Sequence, residues 1–120
     1  MNIQKSDYYI LDILWENGDM KASQIANILE RNIGWNKNTT YTIINRCVKK
    51  EYIKRIDPGY VCRAMITKKQ ATESNVDDVM NRFFNGSFCS FVSNFVSSHE
   101  LSSEEIQELD KIISNARKKK

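Results

Sequence analysis

The chain has 120 residues, is 41% hydrophobic, and carries 18 Lys/Arg against 15 Asp/Glu for a net charge of +3. That is room for one ordinary domain, or a small domain plus an extension, in a composition too apolar for disorder. No apolar run approaches the roughly 20 residues of a membrane span, and Met1-Asn2-Ile3-Gln4-Lys5-Ser6-Asp7 has no apolar core resembling a signal peptide. A cytoplasmic protein without direct membrane binding is expected. Cys47, Cys62 and Cys89 are odd in number, widely spaced and without a CxxC. They indicate neither a zinc knuckle nor a disulfide framework, and no metal or cofactor is expected.

In chain order, Ser6 is a candidate cap for a first helix, with Asp7 favourable at its positive end. Ile10, Ile13 and Leu14 then recur at helical spacing, and Asn17-Gly18 stops the helix. A second helix is predicted from about Ala22 to Arg31, with Ala22, Ile25, Ile28 and Leu29 inward. After a turn at Asn32-Ile33-Gly34-Trp35, Asn36 caps a third helix reaching about Lys50. Two β-rich runs, 52–56 and 60–66, flank Asp57-Pro58-Gly59 and read as a hairpin. Three helices followed by a hairpin make a winged helix.

The remainder is helical in a different style. Val76, Val79, Met80, Phe83 and Phe84 form one stripe at i, i+3, i+4 spacing. Asn85-Gly86 breaks it, and Ser87 can cap the next helix. Phe88, Phe91, Val92, Phe95 and Val96 form a second stripe. Ser102 and Glu105 make a capping box, followed by Ile106, Leu109, Ile112, Ile113 and Ala116. All five phenylalanines lie between Phe83 and Phe95. Three short helices cannot bury that aromatic surface in a core of their own, so the economical arrangement is a homodimer sharing it. The expected dimerisation residues are Val79, Met80, Phe83, Phe84, Phe88, Phe91, Val92, Phe95, Ile106, Leu109 and Ile113. The fold class is therefore mainly α with a small β hairpin, with an N-terminal winged helix-turn-helix over 1–70 and a helical dimerisation region over 71–120.

Charge divides along the same line. Residues 1–70 hold 12 Lys/Arg against 7 Asp/Glu (+5), and residues 71–120 hold 6 against 8 (−2). The basic residues concentrate between Lys37 and Arg55, the footprint of a polyanion partner. On a projection of the third helix, Thr40, Ile43, Ile44, Cys47 and Val48 share the core side. Asn38, Tyr41, Thr42, Asn45, Arg46 and Lys49 lie opposite, with Thr39 on the flank. Hydroxyls and amides bond phosphates or base edges, and an arginine such as Arg46 can bond guanine at two points. With Lys37 and Arg55 these are the candidate contacts to double-stranded DNA. Lys54 and Arg63 on the hairpin are further phosphate candidates. An enzyme is not indicated: His99 stands alone in a polar segment, and no phosphate loop or nucleophile motif is present. A protein-interaction adaptor of winged-helix shape and a regulator binding a small effector directly remain as alternatives.

Ile10-Leu11-Asp12-Ile13-Leu14-Trp15 with Gly18, Ala22-Ser23-Gln24-Ile25-Ala26, Gly34-Trp35-Asn36 with Thr39 and Thr42, Arg46, Lys49 and Lys50, and Leu101-Ser102-Ser103-Glu104-Glu105 occur in an order and spacing that resembles the BlaI/MecI penicillinase-repressor family over nearly the full length. The resemblance implies a repressor that binds a palindromic operator as a homodimer and controls β-lactamase or related antibiotic-resistance genes. It places Thr39, Thr42 and Arg46 at family DNA contacts. Asn36-Lys37-Asn38 departs from the usual Ser-Pro-Lys start of that helix, which bears on the operator sequence. The resemblance also implies inactivation by proteolysis in the dimerisation region, downstream of a membrane sensor, and makes Asn94–Phe95 the candidate cleavage bond. The cysteine cluster of copper-responsive relatives is missing from the tail.

Overall fold

A computed structural model describes residues 1–98 and 100–119, so the expectation for His99 lies outside the described residues. The elements run α1 (Lys5–Asn17), β1 (Met20–Lys21), α2 (Ala22–Ile33), α3 (Lys37–Lys49), β2 (Ile53–Ile56), β3 (Val61–Ala64), α4 (Lys68–Phe83), α5 (Phe88–Ser98) and α6 (Ser103–Lys118). The chain divides into two compact units, Met1–Asn75 and Val76–Lys120, with the division inside α4.

In the first unit α1 starts one residue before Ser6. Gln4 is its N-cap, and Asp7 Oδ2 accepts the Gln4 N–H at 2.9 Å. The capping group is thus Asp7 reaching back, and Ser6 lies within the helix. Gly34 ends α2 in the left-handed conformation (φ 72°, ψ 20°), its N–H donating to the Glu30 carbonyl. The sharp reversal leaves Asn36 free to cap α3, its Oδ1 accepting from the Asn38 N–H at 2.7 Å.

The hairpin strands β2 and β3 pair antiparallel with Ile53 opposite Ala64 and Ile56 opposite Val61. A third strand joins them, giving the order β1-β3-β2. Met20 and Lys21 pair with Cys62 and Val61. A two-residue strand has no periodicity to read, and it exists only because β3 offers it an edge.

The core joins all three helices to the sheet through Ile10, Leu11, Leu14, Ala22, Ile25, Leu29, Ile43, Ile44, Cys47, Tyr52, Ile53 and Cys62. Leu11 is fully buried on α1, while Ile13 is only partly so. Each fully buried aliphatic side chain contributes about 1.5–3 kcal/mol. Trp15 Nε1 donates to the Ile66 carbonyl at 2.9 Å and fastens the chain leaving the hairpin to α1. Trp35 meets Tyr9 edge-on at 5.4 Å and holds the turn before α3 against α1.

α4 begins well before the Val76 stripe. Thr67 and Gln70 form its capping box, with Gln70 N–H donating to Thr67 Oγ1 and Thr67 N–H to Gln70 Oε1. In the second unit Asn85 and Gly86 both have positive φ, which closes α4. Ser87 caps α5 through Ser90 N–H, and the Ser102–Glu105 box opens α6. Neither α5 nor α6 has a buried residue. Among the described residues no helix is long and apolar enough to cross a membrane.

Candidate nucleic-acid interface

α3 separates its two sides sharply. Thr40, Ile43, Ile44 and Cys47 are buried against the core, whereas Lys37, Asn38, Thr39, Thr42, Asn45 and Lys49 are exposed and Tyr41 is half-buried. The outer side is thus polar over three turns. Thr42 Oγ1 donates to the Asn38 carbonyl at 2.9 Å.

Arg46 departs from the expected outward role. Its Nε donates to Asp7 Oδ1 at 3.1 Å, and its Nη2 bonds both Asp7 Oδ1 and Ser6 Oγ. Asp7 has no exposed surface, while the Arg46 side chain keeps 32% of its own. Lys50 Nζ lies 3.6 Å from Asp7 Oδ2 and donates to the Asn2 carbonyl. Burial pushes the Asp7 carboxyl upward, but the Arg46 bonds, the Gln4 N–H and Lys50 outweigh it and hold the group below its ordinary value. Arg46 therefore ties α3 to the start of α1. The fork that would grip guanine at two points is already engaged.

The basic cluster is sorted in the same way. Arg55 pairs with Asp57 at 3.2 Å and lies 3.8 Å over the Tyr60 ring. Arg63, expected among the phosphate contacts, instead donates through Nε and Nη2 to one oxygen of Asp19, and these bonds hold the Asp19 carboxyl below its ordinary value. Among the described residues no carboxylate pairs with Lys37, Lys49 or Lys54, all exposed. Within the basic cluster these three lysines are the cations available to an external anion.

Tyr60 was missed by sequence reasoning. It stands half-buried between hairpin and helix: its hydroxyl donates to Asn45 Oδ1, and its ring meets Tyr41 edge-on at 6.1 Å. A tyrosine next to a turn glycine has no sequence signal for this role, because its partners lie on α3. The buried thiols are inert: burial, then the nearby Asp7 charge, pushes Cys47 up to about 12, and burial pushes Cys62 up to about 11.

The expected dimerisation residues divide by exposure. Phe83 and Phe88 are 69% and 63% exposed. Val79, Val92, Phe95, Ile106, Leu109 and Ile113 are also exposed, Phe84 and Phe91 are partly covered, and Met80 is buried. Phe91 is the centre of an aromatic row, with ring centroids 5.4 Å from Phe84, 6.0 Å from Phe88 and 4.6 Å from Phe95. Asn94 and Phe95 lie within α5. The Asn94 side chain donates to the Ser90 carbonyl, and the Asn94 carbonyl accepts from the Ser97 and Ser98 hydroxyls.

Comparison with known proteins accords with this architecture. The family model for the penicillinase repressor matches residues 3–115. The chain is 26% identical over 120 residues to the penicillinase repressor of Bacillus licheniformis, covering 98% of this chain and 94% of that one. It is 26% identical over 113 residues to the methicillin resistance regulatory protein MecI of Staphylococcus aureus (strain N315), covering 92% of each. Among solved structures, the YusO protein of Bacillus subtilis superposes with a TM-score of 0.50 at 17% identity over 97% of this chain and 75% of that one, a likeness of fold. The family match runs through both units and through the helix whose outer side is polar: the chain belongs to the penicillinase-repressor family of transcriptional regulators, which are not enzymes.

Proposed function

We propose that this chain is a cytoplasmic repressor that binds a palindromic DNA operator as a homodimer and controls β-lactamase or related resistance genes. The observation that carries the reading is the division of α3 into a wholly packed side and a solvent-facing side of hydroxyls, amides and unpaired lysines, flanked by the hairpin. Such a helix, preceded by a helix and a short turn, enters the major groove. Asn38, Thr39, Tyr41, Thr42 and Asn45 face base edges and adjacent phosphates. Lys37, Lys49 and Lys54 neutralise phosphates. Arg46 acts through α3 by fixing its position.

Dimerisation through the second unit is supported by Phe83, Phe88 and Phe95, which a single chain leaves exposed. Two-fold symmetry then requires a palindromic operator, with half-sites one DNA turn or a multiple of it apart. Release by proteolysis at Asn94–Phe95 is supported by a helix without buried residues, whose local opening costs little. Loss of α6 would remove part of the dimer surface and with it two-site binding.

The test is a mobility shift on fragments of the chain's own promoter across a salt series, with Lys49→Ala alongside. The expected result is tight binding to a palindrome, with a salt slope reduced by about one per altered phosphate contact in the variant. Binding without preference over random DNA would overturn the operator reading in favour of an adaptor. For the cleavage step, an Asn94→Ala chain that still leaves its operator under inducer would remove Asn94–Phe95 from the mechanism.

A further inference from the structure

The junction between hairpin and α3 has one polar contact at its centre. Tyr60 donates its hydroxyl to Asn45 Oδ1. The Tyr60 ring is itself held on two sides, edge-on by Tyr41 at 6.1 Å and on its face by the Arg55 guanidinium at 3.8 Å. A ring so clamped has little freedom to turn its hydroxyl away. Burial, then the neighbouring Cys62, pushes that hydroxyl above its ordinary value against the pull of Arg55, so it stays protonated and able to donate. Asn45 is exposed on the outer side of α3. An asparagine amide has one accepting end and one donating end. The accepting end is engaged by Tyr60, and the amide nitrogen has no hydrogen-bond partner among the described residues.

We propose that Tyr60 is a positioning residue for specificity: it orients Asn45 as a hydrogen-bond donor, so that Asn45 selects a base edge presenting acceptors. The inference rests on the reading of α3 as the groove-entering helix. An unconstrained asparagine pairs best with adenine, offering N–H to N7 and its carbonyl to the N6 amino group. In this arrangement the carbonyl is taken up by Tyr60, which leaves the N–H group as the free end of the amide. The favoured edges are those with acceptors alone at reach, guanine N7 and O6 or thymine O4.

The test selects operators from a library randomised across the palindrome, using full-length wild type, Tyr60→Phe, Asn45→Ala and the double variant. Tyr60→Phe keeps the ring and both of its ring contacts and removes only the hydroxyl. The expected result is that wild type prefers guanine or thymine at one position per half-site. Tyr60→Phe and Asn45→Ala each relax that same position by roughly five- to tenfold. The double variant loses no more than either single one, and affinity for random DNA and the salt slope stay within about twofold in Tyr60→Phe. Wild-type preference for adenine at the position altered by Asn45→Ala would overturn the proposal, as would an unchanged selection profile in Tyr60→Phe. A uniform loss across all sequences in either variant would also overturn it, by making the contact one of backbone grip. All three leave operator binding, and so the repressor reading, in place. Failure of wild type to select any operator would overturn both.

Discussion

Replacing Arg46 by methionine removes the guanidinium and keeps the unbranched stem, so the packing of α3 is little disturbed while Asp7 loses its principal partner. Removing one member of a buried ion pair costs about 3–5 kcal/mol, because the other charge is left unpaired. Here Asp7 is wholly buried and Arg46 is 32% exposed, so the cost depends on which member goes. In Arg46→Met the carboxylate stays buried with the Gln4 N–H at 2.9 Å and Lys50 at 3.6 Å. These partners bring the loss down to about 2–3 kcal/mol. In Asp7→Asn the carboxamide keeps the shape and an acceptor, and the guanidinium turns to water, so the loss is about 1–2 kcal/mol. The double variant should lose less than the sum of the two, the shortfall measuring the pair itself.

Urea unfolding at pH 7 and fixed protomer concentration reads this through Trp15 and Trp35, both in the first unit. Equal losses in the two single variants, or strict additivity, would refute the argument that the buried carboxylate is the costly member. Acid adds an independent check. The Asp7 carboxyl lies below its ordinary value of 3.8 in the folded chain. Its contribution is therefore complete above that value and is lost as pH falls through the lower, folded value. Wild type should lose stability below about pH 4 more steeply than Asp7→Asn, and the two curves should converge. The same reasoning makes Arg46→Ala a poor probe of DNA contact, since it loosens the attachment of α3 to α1 together with any contact Arg46 makes.

Three further outcomes are expected. Phe88→Asp puts a charge in the aromatic row of α5 and should convert a dimer to a monomer by sedimentation, with the unfolding of the first unit unchanged; a dimer that persists would move the interface elsewhere. In native protein a thiol reagent should modify Cys89, which is exposed, and leave Cys47 and Cys62 untouched until unfolding, since burial holds these two at about 12 and about 11; fast modification of a second thiol would refute the burial of these two side chains in the core of the first unit. Thr40 is fully buried and its hydroxyl has no hydrogen-bond partner among the described residues. Thr40→Val should therefore stabilise the chain by about 1 kcal/mol in the same urea assay, and a destabilised variant would show that the hydroxyl is satisfied.

Much of the architecture follows from local rules. The helical spacing of apolar residues, the Asn36 and Ser102 caps and the Pro-Gly turn each act within a few residues, so the three helices, the hairpin and the three later stripes are legible along the chain. Composition likewise marks the basic first unit and the phenylalanine-rich second one. What tertiary structure decided is which charges are available. In the sequence Arg46, Lys50, Arg55 and Arg63 are indistinguishable from Lys37, Lys49 and Lys54, because all are basic residues in or beside one segment. Folding brings Asp7 and Asp19 against them from 39 and 44 residues away, and those long-range pairs engage Arg46, Lys50 and Arg63 in holding the unit together. The same distance hid β1, which pairs only once β3 lies beside it, and hid Tyr60, whose partner Asn45 is on another element. The chain's pattern determined the elements and the polar side of α3, because those depend on neighbours in sequence. The groups on that side left to meet DNA were chosen by contacts that form only when distant segments pack.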